Sequence, residues 1–343
     1  MYAICIYLLF KFLKSKKKLI GKLVILNIAC ILRLEFRVRS KLEAWAKKLD
    51  CGGDIEKQSH FKKLFIQRLR NSPIAIETDK ANEQHYEVPT EFFKTALGKR
   101  LKYSCCYWTE LTKTLEEGCG WGSLGLYILE TYPNCHVTCV SNSNTQRQHI
   151  QLEAEKMGVA DRLECITSDA NFFTTDKRFD RIMSIEMFEH MKNYEILMQR
   201  VSSWLKPSGY LFIQVLCHKL YPYAFDTRPG SDTEWMAKNF FTGGTMPSSD
   251  LFLYFQKDVH VVDQWIWNGK HYSKTLEAWL EKTDLNMDKI KSIFEKNYGD
   301  EVEKQLFNWR LFFIFCSEVF GYKNGNEWHV AHYLFEKHIG SSL

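Results

Sequence analysis

The stretch Gly118-Cys119-Gly120-Trp121-Gly122 runs directly into Ser123-Leu124-Gly125-Leu126-Tyr127-Ile128-Leu129. Three glycines ahead of an apolar run describe a tight turn feeding a helix N-terminus. Such a turn exposes bare backbone to a ligand, and the first amides of the helix have no partner within it. A glycine cluster by itself fits an ordinary loop as well, so its meaning depends on the chain that follows.

That chain is regular. Val137-Thr138-Cys139-Val140 is a short β-branched run and predicts a strand; Asn144 to Met157 predicts a helix. Leu163 to Thr167 predicts a second strand, ending at Asp169, and Phe179 to Ser184 a third. Tyr194 to Leu205 predicts a helix closed by Lys206-Pro207-Ser208-Gly209, and Tyr210 to Leu216 a further strand. Strands alternating with helices indicate a parallel sheet with helices on both faces. Ligands of such sheets bind at the carboxyl ends of the strands. The glycine turn, Ser141–Gln146, Asp169-Ala170 and Ile185–His190 all fall at those ends, which points to one shared pocket.

Outside this block, residues 1–13 are apolar and end in Lys14, Lys16, Lys17 and Lys18, and residues 19–32 are apolar again apart from Lys22 and Asn27. Each run is shorter than the ~18–20 residues that cross a bilayer. The charges follow the first apolar run, so a secretory signal fits poorly. A helix docked on the body of the protein and a basic amphipathic helix on a membrane surface both fit. Residues 41–70 carry apolar side chains at helical spacing, broken in two by Gly52-Gly53. Residues 71–90, with Pro73 and Pro89, read as a connection containing Gln84-His85-Tyr86-Glu87-Val88-Pro89, and a helix through Phe92-Phe93 follows. Residues 217–270 read as aromatic and loop-rich, 273–298 and 301–320 as helical, and Trp328 to Phe335 as a late strand. The domain division is thus an N-terminal helical extension over 1–70 and a single catalytic domain over 71–343, with 217–330 as insertions and helices covering the substrate.

At 343 residues, with 45% hydrophobic and 25% charged side chains, the chain can bury a substantial core. The net charge of +5 comes largely from the N-terminal lysines, so no nucleic-acid partner is expected. The 24 Phe, 16 Tyr and 10 Trp fit either a large aromatic core or a pocket for a flat or cationic ligand. None of the 11 cysteines forms a CxxC pair, so reduced thiols in a cytoplasmic protein are expected.

The cluster most suited to chemistry is Glu186-Met187-Phe188-Glu189-His190-Met191. On a helical turn Glu186, Glu189 and His190 share one side, and carboxylates beside an imidazole orient it and raise its basicity. Acidic residues at a solvated helix start are the plainer alternative. A metal site is not expected, because no other His, Asp or Glu group has partner spacing.

GCGWGSL, SNSNTQ, SDA and SIEMFEHMKNY together resemble the S-adenosylmethionine-dependent methyltransferases of the coclaurine N-methyltransferase and cyclopropane fatty acid synthase family. HYEVPTEFF, LKYSCCYW, FFTGGTMPSSDLFLYFQ and WNGKHYSKTLEAWL resemble the coclaurine N-methyltransferase side, and the likeness covers residue 60 to the end. It implies an α/β fold, a Rossmann-like class I methyltransferase sheet, and S-adenosylmethionine as cofactor. Tyr103 and Ser104 would meet its methionine part, and Gly118, Gly120 and Gly122 its backbone approach. Ser141, Asn142 and Gln146 would lie by the ribose, Asp169 and Ala170 by the adenine, and Ile185 beside the same site. Glu186, Glu189, His190 and Glu87 would surround a small amine, which His190 would deprotonate. Cyclopropane synthases usually carry Gly where this chain has Glu186, and a tyrosine in the C-terminal helix that helps to hold a bicarbonate. Arg310 to Cys316 has none, so an amine is expected rather than a lipid. The resemblance also implies a helix and a central first strand ahead of the glycine turn. Only Thr109–Glu117 stands between Trp108 and Gly118, whereas those elements need roughly 20 residues. The sheet is therefore expected to lack its first central strand, and a catalytically impaired, splice-type chain is the alternative to an active enzyme.

Overall fold

The Gly52-Gly53 break is a 3-10 turn over Cys51–Gly53 in the computed structural model, which describes residues 38–85, 88–108 and 120–338. Both glycines take positive φ, 69° and 79°. Helical residues 38–49 (α1) precede the turn and Ile55–Arg70 (α2) follows it. The Asp54 carboxylate caps α2 by accepting from the Glu56 and Lys57 amides. Residues 71–90 are not merely a connection, because Thr78–His85 (α3) is helical. Its sequence, TDKANEQH, holds good helix formers but no apolar stripe, so hydrophobic periodicity does not reveal it. Thr90–Ala96 (α4) carries Phe92 and Phe93, both fully buried.

The alternating block forms as expected: Ser123–Thr131 (α5), Val137–Ser141 (β1), Asn144–Met157 (α6), Leu163–Thr167 (β2), Phe179–Ile185 (β3), Tyr194–Trp204 (α7) and Leu205–His218 (β4). Ser143 caps the start of α6, and Gly158, at φ 68°, closes it. The strand β4 begins five residues before the expected Tyr210. Phe179 pairs with Leu205 and Arg181 with Tyr210, so Lys206-Pro207-Ser208-Gly209 loops out as a bulge. Pro207 has no amide for a ladder, and Ser208 turns left-handed at φ 58°.

The remaining elements are Tyr223–Ala224 (β5), Glu234–Asn239 (α8), Thr245–Met246 (β6), Val259–Trp267 (β7), Lys270–Leu285 (α9), Met287–Tyr298 (α10), Val302–Gly321 (α11) and Trp328–Lys337 (β8). Two expectations change here. The loop-rich reading of 217–270 misses β7, an edge strand with exposed residues on both faces and hence no clean alternation. The helical stretch 273–298 is two helices meeting at Asn286.

The main sheet has the order β3-β4-β8-β7. Strands β3 and β4 are parallel, while β8 runs antiparallel to both β4 and β7. The sheet is therefore mixed rather than parallel. Strands β1 and β2 form a separate parallel pair. Among the described residues, no strand joins β1 to β3, the place the first central strand occupies in a doubly wound sheet. Val140 of β1 and Met183 of β3 are 41% and 43% exposed, unlike the strands of a continuous parallel sheet, which are covered on both faces.

The core follows the same division. One cluster unites α1, α4 and α9 to α11 through Phe92, Phe93, Trp279, Trp309 and Phe313. A second packs Tyr194, Leu211, Ile213, Phe252 and Tyr333 against the main sheet. A third, small cluster of Leu126, Leu129, Ile150, Ala154 and Val159 lies under β1 and β2. The N-terminal runs 1–13 and 19–32 lie outside the described residues.

Candidate active site

Gly122 enters α5 at φ 88°, and a Cβ there would stand 2.8 Å from the Ile150 side chain, so the position admits only glycine without strain. Beside it, Trp121 is buried between Phe93 and His149. Gly120 has open room, since a Cβ there meets only Gln146 Nε2, at 3.5 Å. The N-cap position of α5 is Gly122, which has no side chain to cap the helix. Two polar groups converge here: Ser123 Oγ and Gln146 Nε2 are buried without a partner. Ser141 Oγ donates to Gln146 Oε1 at 2.7 Å and accepts from the Ser143 amide at 3.1 Å, which fixes the Gln146 side chain. Asn142 Nδ2 approaches the Thr78 carbonyl at 3.5 Å. Asp169 accepts from the Asn171 amide at 2.6 Å, and Ala170 packs on the second core cluster. Gly118 and Glu87 lie outside the described residues.

On the other side, Tyr103 stands among Phe93, Trp279 and Trp309, with ring centroids 5.0, 5.6 and 6.4 Å away. Ser104 is buried and accepts from Lys102 Nζ at 2.8 Å. Ile185 ends β3 and pairs with Gln214. The expected cofactor residues thus divide between the β1–β2 block and the main sheet.

The acidic cluster is built differently from the expected helical turn. Only Phe188–His190 is a 3-10 turn; Glu186 precedes it at φ 48°, a left-handed conformation that costs a non-glycine residue on the order of 1 kcal/mol. This is a backbone glycine adopts freely, so Glu186 keeps a glycine's conformation while adding a carboxylate. Its amide donates to the Gln214 carbonyl at 2.8 Å. Its Oε1 accepts from the Cys105 amide at 2.9 Å and Gln214 Nε2 at 3.0 Å, and its Oε2 from the Tyr272 hydroxyl at 2.7 Å. Burial pushes the Glu186 carboxyl up, and Tyr272, the Cys105 amide, Lys102 and Gln214 offset part of that rise.

Glu189 is 2% exposed, and its Oε2 is buried with no partner. Burial first, and the nearby Glu186 charge second, hold its carboxyl well above the usual range. The two carboxyls are near enough for the Glu186 charge to act on Glu189, although they share no helix face. His190 stacks on Phe241 at 5.3 Å with rings 4° apart, and Phe225 continues the stack at 4.8 Å. A cleft of about 650 Å³ opens beyond it, with Phe61, Phe65, Tyr223 and Phe225 in its walls. None of Glu186, Glu189 and His190 lines that cleft.

Sequence reasoning missed Tyr272, Gln214, Lys102 and Phe241. The tyrosine that meets the acidic cluster comes from α9, not from the 310–316 region of α11. The segment WNGKHYSKTLEAWL contains it, but no local spacing ties it to Glu186.

The family model described as mycolic acid cyclopropane synthetase matches residues 112–330. (S)-Coclaurine N-methyltransferase of Thalictrum flavum subsp. glaucum is 38% identical over 316 residues, covering 84% of this chain and 87% of that protein. (S)-Tetrahydroprotoberberine N-methyltransferase of Eschscholzia californica is 34% identical, covering 85% of this chain and 91% of that protein. The crystal structure of a coclaurine N-methyltransferase bound to N-methylheliamine and SAH superposes with a TM-score of 0.82 at 35% identity, covering 91% of this chain and all of that one. The first alignment spans 316 positions but takes in 84% of 343 residues, or about 288, which leaves about 28 positions without a counterpart here. The chain belongs to the mycolic acid cyclopropane synthetase family of S-adenosylmethionine-dependent methyltransferases, on the branch of the coclaurine N-methyltransferases.

Proposed function

We propose that this chain transfers a methyl group to the nitrogen of a small amine, with Glu186, Glu189 and His190 arranged around that nitrogen. The observation that carries this reading is the pair of buried carboxyls beside the His190–Phe241 stack, at the carboxyl end of β3. A buried carboxylate pair is costly unless a cation joins it, and an ammonium is such a cation.

When bound, S-adenosylmethionine supplies a methyl carbon activated by its sulfonium, and displacement at such a carbon is in line. The work left to the protein is alignment and exclusion of water. The residues present fit such a group: Ser123 Oγ and Gln146 Nε2 are buried polar groups without a partner beside the Gly120–Gly122 turn. We assign Gly118, Gly120, Gly122, Ser141, Asn142 and Gln146 to its turn and ribose side. Asp169 and Ala170 flank its adenine, and Tyr103, Ser104 and Ile185 its methionine end. The acidic pair attracts the amine in its cationic form. Deprotonation then frees the nitrogen lone pair, and His190, with an imidazole reference pKa of ~6.5, accepts the proton. Glu87 is assigned to the same amine by resemblance alone.

The test supplies labelled S-adenosylmethionine with an aromatic amine in one arm and an unsaturated phospholipid in the other. We expect label on the amine. Glu186→Ala and His190→Ala should each lower turnover at least about 100-fold, with SAH affinity by calorimetry unchanged. Label on the lipid alone, or full turnover in both variants, overturns the assignment. The apolar, lysine-bearing residues 1–32 support a peripheral membrane contact for a cytoplasmic chain, which vesicle flotation tests.

A further inference from the structure

The two carboxyls of the site are supported unequally. Glu186 has three donors on its oxygens: the Cys105 amide, Gln214 Nε2 and the Tyr272 hydroxyl. Glu189 Oε2 is buried with none. Donors stabilise the charged form of a carboxyl, and two neighbouring carboxyls in a dry site do not both ionise readily. We infer that Tyr272, Gln214 and Lys102 are positioning residues that hold Glu186 as the anionic, cation-binding member of the pair, leaving Glu189 as the protonated member.

Tyr272 reaches Glu186 from α9 and is itself held by stacking on Phe320 at 4.5 Å. Gln214 grips Glu186 twice: its carbonyl accepts from the Glu186 amide, and its side chain donates to the carboxylate. That double grip holds the left-handed backbone at Glu186, which would otherwise relax. Lys102 is 4% exposed, and its ammonium acts on the Glu186 carboxylate through space. The same ammonium donates to Ser104, so one buried cation links the carboxylate to the proposed methionine end of the cofactor site.

The titratable groups facing Glu186 leave Lys102 as the cation. From the 101–108 loop, burial pushes the Cys105 thiol up and the Cys106 thiol up to about 12. The Tyr272 phenol on α9 is also raised, by burial and then by Glu186. On β8, His332 is pushed down to about 4 by burial and then by Lys102. These groups stay neutral near pH 7, and among the described residues Glu189 is the acid that competes with Glu186.

This inference rests on the amine reading, so its test reads binding without turnover. Benzyltrimethylammonium, whose charge is independent of pH, is titrated into the full chain by calorimetry across pH. We expect wild-type affinity to fall as pH drops through the Glu186 ionisation. Glu186→Gln should flatten the profile. Tyr272→Phe should move the midpoint up by about one pH unit, and Lys102→Met should move it in the same direction. Tyr272→Phe removes one hydroxyl and keeps the ring, so it decides the matter if Lys102→Met fails to fold. An unmoved midpoint in Tyr272→Phe, a pH-dependent profile retained in Glu186→Gln, or no wild-type binding of the probe overturns the inference. Absence of amine methylation alongside these shifts would refute the proposed reaction and leave the carboxylate assignment standing.

Discussion

The β3-β4-β8-β7 sheet and the β1-β2 pair meet the same ligand region but are held in different ways. The main sheet is covered by two large clusters in which Phe92, Phe93, Trp279 and Tyr333 are essentially inaccessible. The β1-β2 pair rests on five buried residues of modest size. Among the described residues, what ties it to the rest is largely polar. Asn171 donates to the Ala75 carbonyl and accepts from its amide, Arg200 donates to the Ala170 and Asn171 carbonyls, and Arg100 pairs with Glu130. Trp121 and its ring neighbours supply the main apolar link. The contrast teaches that the side carrying the acidic cluster is fixed by packing. The side carrying Ser141, Gln146 and Asp169 is fixed by a few directional bonds.

The largest expected effect tests that contrast directly. Trp279→Ala, which opens a cavity among Tyr103, Tyr272 and Phe313, should cost about 3–5 kcal/mol and lower the urea midpoint of the whole chain. Leu129→Ala should cost about 2–4 kcal/mol. Its signature in hydrogen exchange should be loss of protection in β1, β2, α5 and α6, with β4 and β8 still protected. Simultaneous loss in all strands would break the comparison.

A smaller effect sharpens it. A carboxyl raised on folding keeps its proton in the folded chain after the unfolded chain has lost it. Stability therefore falls as pH rises above the ordinary glutamate range of ~4.3 toward the raised folded value. Glu189 is such a group. Glu189→Gln should raise stability at pH 7 by about 1–3 kcal/mol and leave it nearly unchanged at pH 4, read from melts at both values, while lowering amine turnover. A variant less stable than wild type at pH 7 would show that Glu189 is ionised and paired. The smallest effect belongs to the β1-β2 side: Ser143→Ala removes the bond to the Gln146 amide that caps α6. It should cost about 1 kcal/mol and weaken SAH binding in calorimetry, because Ser143 and Gln146 share the Ser141 hydroxyl network.

Much of the fold was legible because its signals are local. The helix Asn144–Met157 and the strand Leu163–Thr167 have the bounds read from apolar runs and turn residues. The helix α3 and the strand β7 were not legible, since a polar helix and an edge strand exposed on both faces carry no periodic stripe. The bulge at Lys206–Gly209 was read as the end of a helix, because proline and glycine mark both. In the site, Glu186, Glu189 and His190 stand together in the chain, so residue type and spacing alone single them out as candidates. Tyr272, Gln214 and Lys102 come from α9, β4 and the 101–108 loop, and no spacing joins them.

By itself, the sequence determined the methyltransferase family, the succession β1-α6-β2-β3-α7-β4 and the Gly120–Gly122 turn. These depend on residue type and on neighbours along the chain. Only the tertiary structure decided that the sheet is mixed and, among the described residues, divided between β1 and β3, and that Glu186 takes a glycine's backbone. It alone separated the two carboxyls, giving Glu186 three donors and leaving Glu189 Oε2 buried with none. Those outcomes depend on burial and on partners brought from distant elements, and burial sets the cost of a charge.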